Sequence, residues 1–140
     1  MDRGKCIAQL SFYSKDIPPE DIRTQMGSWL YGCDVCQDVC PLNKDKFTET
    51  EDFPPLAEYE EYLELEKILE MDEDTYINIL YPRYYYTGKE GLWLWKCNAL
   101  RSMINSGDDK YHHIIKKCCD NPDKRIKEMA KWWGCKNLNI

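Results

Sequence analysis

Three cysteines fall within eight residues of the stretch YGCDVCQDVCPLN, residues 31–43, and a proline follows the last of them. The spacing is Cys33-x2-Cys36-x3-Cys40-Pro41, and a fourth thiol, Cys6, stands alone upstream across 26 intervening residues. Thiolates are soft ligands, and a pair spaced this closely in a tight loop can grip one iron–sulfur cube. A cysteine three residues further on, followed by proline, is placed to open a helix and point elsewhere.

The run found in two-cluster ferredoxins is C-x2-C-x2-C-x3-C-P, whose last cysteine ligates the other cluster. Leu30 stands where the first cysteine of that run would be, which leaves Cys6 as the substitute, brought in by chain reversal. Structural zinc on Cys6, Cys33, Cys36 and Cys40 is the rival reading, although zinc sites commonly pair two short-spaced couples and the second couple is missing. Inert buried thiols are a third reading. Asp34, Gln37 and Asp38 beside the cysteines speak against it.

The remaining cysteines, Cys97, Cys118, Cys119 and Cys135, read as core or surface thiols. His112 and His113 are adjacent and point to different helix faces, which makes joint chelation difficult. There is no Gly-rich phosphate loop, metalloprotease helix or nucleophile elbow. Eight cysteines in a short chain can mark a secreted disulfide framework. The ligand-like spacing of four of them points instead to a reducing cytoplasm. No apolar run reaches the length of a membrane span, and no signal-peptide pattern opens the chain.

The elements that must position these thiols are helical. KDIPPEDIRTQMG reads as a short helix opened by prolines and stopped at Gly27. LAEYEEYLELEKILEM, residues 56–71, carries apolar residues every three or four positions, and Asp72 is placed to cap the helix that stops at Pro82. LWLWKCNALRSMIN is apolar around most of its circumference and should be the most buried helix. Two more follow, the second with Asn121 as its cap and Pro122 in its first position. Residues 92–133 suggest helix–turn–helix units of HEAT type. Charge is uneven along the chain: residues 49–75 carry a net of −11 and residues 96–140 a net of +5. The overall sign therefore says little about partners.

Residues 5–44, KCIAQLSFYSKDIPPEDIRTQMGSWLYGCDVCQDVCPLNK, resemble the second half of the double [4Fe-4S] domain of epoxyqueuosine reductases and their corrinoid-dependent relatives. The likeness runs through Cys6, Ile7, Ile17, Pro18, Glu20, Arg23, Gly27, Tyr31 to Asp34, Cys36, Gln37, Val39 to Pro41, and Asn43. WKCNALRSMINSGD resembles the HEAT-like region of the same family. An upstream C-x2-C-x2-C-x3-C-P motif and a corrinoid-holding domain, which the family has, are absent from this sequence. The resemblance implies that Cys6, Cys33 and Cys36 bind one cluster with a fourth ligand from elsewhere, and that Cys40 contributes to a second.

The expectation is a mainly α chain: a partial, ferredoxin-like iron–sulfur cap at 1–48 and a HEAT-like helical extension at 49–140. One 4Fe-4S cluster is expected here, and a second only with a partner segment. Cobalamin is expected in the parent enzyme and not on this chain. The expected role is electron transfer towards a reductase site outside this chain, which is not credited with catalysis of its own. The alternative is a tRNA- or protein-binding helical module, contacting phosphates through residues 96–140 and stapled by zinc or cysteines.

Overall fold

The structure is a computed structural model and describes residues 2–46 and 56–132. Among these residues the secondary structure is entirely helical. Three short helices come first: α1 (Ile7–Phe12), α2 (Glu20–Arg23) and α3 (Val35–Asp38). Then come α4 (Leu65–Glu70), α5 (Glu73–Thr75) running into a π turn at Tyr76–Leu80, α6 (Leu92–Ser106), α7 (His112–Cys118) and α8 (Lys124–Ala130). No helix of the described residues is long and apolar enough to cross a membrane. The expected boundary at 48/49 lies outside the described residues.

Helix ends follow local chemistry, with three departures from the sequence reading. Residues 56–71 do not form one α-helix. A 3-10 stretch covers Leu56–Leu63, Glu64 turns extended, and α4 begins at Leu65. Glu60 and Glu64 would repel at i,i+4 in a continuous α-helix, as would Glu58 and Glu61 at i,i+3. The cap of α8 is Asp123, whose Oδ1 accepts from the Arg125 N–H at 2.9 Å, while Asn121 Oδ1 accepts from the Asp123 N–H one turn earlier. A carboxylate answers the positive helix end better than an amide does. Cys40-Pro41 opens no helix: residues 41–46 are turns. As expected, Asp72 caps α5 through the Thr75 N–H at 2.7 Å. Gly107 ends α6 at a φ of 64°.

Helix α6 is the axis of the fold. At about 100° per residue its side chains divide into three sectors. Leu92, Trp95 and Ala99 pack with Ile68 of α4, with Met71 just after it, and with Tyr76 and Leu80 of the π turn. Cys97, Leu100 and Ile104 pack with Ile115 of α7 and with Ile126 and Met129 of α8. Each such fully buried aliphatic side chain stabilises the fold by roughly 1.5–3 kcal/mol. The third sector is polar and faces residues 11–29.

Candidate metal centre

Asn98, Arg101, Ser102 and Asn105 occupy that third sector, spaced i, i+3, i+4 and i+7, and they bond to main-chain carbonyls. Asn98 Nδ2 donates to Ser11 O at 2.8 Å. Arg101 Nη1 donates to Gly27 O at 2.7 Å, and its Nη2 donates to Trp29 O. Ser102 Oγ donates to Ser28 O at 3.4 Å. Asn105 Nδ2 is shared between Arg23 O at 3.0 Å and Gly27 O at 2.9 Å. Arg101 is fully buried, and burial lowers its pKa to about 10, so it remains charged at neutral pH. Buried Arg23 adds a second anchor: its Nε donates to Pro18 O at 2.7 Å and its Nη2 reaches Glu128 Oε1 of α8 at 3.3 Å.

This framework carries the chain up to the cysteines. Gly27 and Gly32 turn it at φ of 55° and 71°, the left-handed region that glycine occupies without strain. Between them the Tyr31 ring stacks on Trp95 of α6, with ring centres 5.2 Å apart, and lies 4.8 Å from the ring of Phe12. Burial raises the Tyr31 pKa to about 12. Ser11 Oγ accepts from the Gly32 N–H at 3.1 Å, which fastens the residue before Cys33 to α1. Cys6 caps the other end of α1, about 7.5 Å of helix rise from Ser11.

Past Gly32 the chain changes character. Among the described residues, every hydrogen bond of residues 34–46 closes within that stretch. Asp34 O accepts from the N–H groups of Gln37 and Asp38 at 2.7 and 3.0 Å. Asn43 Nδ2 donates to Gln37 O and Oε1 at 3.1 and 3.0 Å. Cys36 is exposed, Cys6, Cys33 and Cys40 are half-buried, and Val39 and Leu42 stand 72% and 76% exposed. The upstream half of the site is docked, and the lobe bearing Cys36 and Cys40 projects from the fold.

The four thiols lie outside both hydrophobic clusters, and soft thiolates are the donors an iron–sulfur cluster takes. Among the described residues, no three His, Cys, Asp or Glu side chains are gathered as an ion's ligand set. Donor chemistry therefore fits a cluster, while the arrangement by itself does not enclose one. Cys97 and Cys118 are core thiols, and burial pushes the Cys97 pKa up to about 12. Cys119 is disulfide-bonded rather than the free thiol expected, and Cys135 lies outside the described residues.

The sequence reading passed over Ser11, Asn98, Arg101, Ser102 and Asn105. The available signal was a polar stripe at helical spacing within an otherwise apolar helix.

Comparison with known proteins bears on the same region. Residues 1–43 match the family model described as the 4Fe-4S double cluster binding domain. The chain is 43% identical over 61 residues to an epoxyqueuosine reductase of Cyclobacterium marinum, a match covering 43% of this chain and 20% of that protein. It is 48% identical over 46 residues to the epoxyqueuosine reductase of Bacillus subtilis, covering 33% of this chain and 12% of the relative. A solved structure of epoxyqueuosine reductase from Bacillus subtilis superposes with a TM-score of 0.69 at 25% identity, over 94% of this chain and 35% of that one. The chain is thus partially homologous to epoxyqueuosine reductases, and its matches span about a fifth or less of these curated relatives' length.

Proposed function

We propose that this chain is an iron–sulfur electron-transfer module serving an epoxyqueuosine reductase-like oxidoreductase whose reductase site lies in another segment or chain. The carrying observation is that the exposed and half-buried thiols of Cys6, Cys33, Cys36 and Cys40 all fall inside the matched cluster-binding region. In this reading Cys6, Cys33 and Cys36 hold one cluster, with the fourth ligand supplied from elsewhere, and Cys40 contributes to a second. When bound, such a cluster supplies one-electron chemistry at a potential set by burial and hydrogen bonding. The chain's part is to hold the docked thiols, to present the Cys36 and Cys40 lobe to a partner segment, and to offer N–H donors near the sulfurs. The Gln37 N–H already serves Asp34 O, so donors come from earlier in the loop. The helices beyond residue 49 act as a HEAT-like scaffold. The corrinoid chemistry of the parent enzyme stays outside this chain, and the free thiols of Cys6, Cys33, Cys36 and Cys40 suit a reducing cytoplasm, although Cys119 is disulfide-bonded.

The test is iron and labile sulfide per chain after reconstitution without oxygen. Retention by the parent and by Cys97→Ala, with loss in Cys6→Ala and Cys33→Ala, supports the reading. A colourless, zinc-loaded parent refutes it.

A second reading, a module that binds tRNA phosphates, draws on the exposed Lys116, Lys117, Lys124 and Lys131 of the last two helices. Arg125 is less available, being paired with Asp123 at 2.7 Å and stacked 4.0 Å over Trp93. Binding to tRNA that does not weaken with added salt would sink this reading.

A further inference from the structure

The polar sector of α6 is unusual for the most buried helix in the fold. A buried side-chain donor is expensive to leave unpaired, so polar groups in such a position are retained where they find partners. Here Asn98, Arg101, Ser102 and Asn105 each donate to a backbone carbonyl of the segment that leads to the cysteines, and Arg101 Nε is the one donor of the stripe buried without a partner among the described residues. Carbonyl recognition reads the path of a chain and not its side chains. Two bonds stand in series between α6 and the first loop cysteine. Asn98 Nδ2 holds Ser11 O, and Ser11 Oγ holds the Gly32 N–H next to Cys33. The same helix α1 carries Cys6 at its other end. Asn98 Oδ1 is buried with no hydrogen-bond partner, so the side chain is used here as a donor alone.

We infer that Asn98 and Ser11 are positioning residues that fix Cys6 relative to Cys33 before any metal arrives. The docked half of the thiol set is thus held by tertiary hydrogen bonds, whereas the Cys36–Cys40 lobe bonds only within itself. This inference concerns the metal-free chain and does not rest on the electron-transfer reading.

The experiment uses the full chain, metal-free and without oxygen, in a Cys36→Ser/Cys40→Ser background. A short bismaleimide is applied, and the Cys6–Cys33 bridge is quantified by peptide mapping. Asn98→Leu removes the donor and the orphaned oxygen while keeping the branched heavy-atom skeleton, and Ser11→Ala removes the second bond in the series. Both variants are expected to bridge roughly tenfold less, the scale of losing a preorganised approach, while single-site alkylation of Cys33 is unchanged. Met129→Ala, a cavity variant in the cluster of α6 with α7 and α8, is expected to bridge like its background. Should Asn98→Leu fail to fold, Ser11→Ala decides. The inference is overturned if the background forms no bridge, if either folded variant bridges normally, or if Met129→Ala loses bridging equally.

Discussion

Replacing Arg101 by methionine sets two opposed terms against each other. The guanidinium is fully buried, and no carboxylate among the described residues pairs with it. Burial moves its pKa from 12.5 to about 10, which corresponds to roughly 3 kcal/mol against the charged form. Methionine fills much of the same volume and removes that penalty. The substitution also deletes two charge-assisted hydrogen bonds, to Gly27 O and Trp29 O, together worth about 3–6 kcal/mol. Gly27 O keeps Asn105 Nδ2 at 2.9 Å, so the loss falls mainly on the Trp29 carbonyl. The two terms leave a destabilisation of up to about 3 kcal/mol for Arg101→Met, and about 2–5 kcal/mol for Arg101→Ala, which adds a cavity. Urea denaturation of the full chain without oxygen measures both, and hydrogen exchange of amides 27–33 locates the loosening. A methionine variant more stable than the parent would refute the reasoning. Desolvation would then outweigh the bonds, and the stripe on α6 would not be what holds this segment.

Three further outcomes are expected. Cys97 has a pKa of about 12 when folded against an ordinary 9.0, so the unfolded chain releases the thiol proton first and stability falls as pH rises from 9 to 12. The loss attributable to Cys97 should approach about 2 kcal/mol near pH 10.5, read as the difference in alkaline slope between the parent and Cys97→Val; identical slopes count against it. Asp123 is held below the ordinary carboxylate range, first by the side-chain hydrogen bond from Arg125. Its stabilising contribution is therefore present above the ordinary value of 3.8 and lost as pH falls through the lowered one. Asp123→Ala should cost about 1–2 kcal/mol at neutral pH, and Asp123→Asn should keep much of the cap while flattening the acid limb in a denaturation series. Gly107→Ala should cost about 1–2 kcal/mol, because a φ of 64° strains an L side chain even though a Cβ there meets nothing within 4 Å; an unchanged denaturation midpoint would contradict this.

Sequence by itself determined the helical class, the burial of LWLWKCNALRSMIN, the cap at Asp72 and the separation of loop thiols from the core thiols Cys97 and Cys118. These depend on local periodicity, capping chemistry and spacing, which are written along the chain. Tertiary structure alone decided that one face of α6 binds the backbone of residues 11–29. It also decided that Ser11 ties α1 to Gly32, and that the cysteine lobe beyond Gly32 is left undocked. Those bonds join residues more than twenty and up to 87 positions apart, and at one end of each stands a main-chain group, a carbonyl or the Gly32 N–H. No residue type at that main-chain end announces them. The polar stripe on α6 was visible as a pattern, but its partners were set only when the chain folded back on that helix.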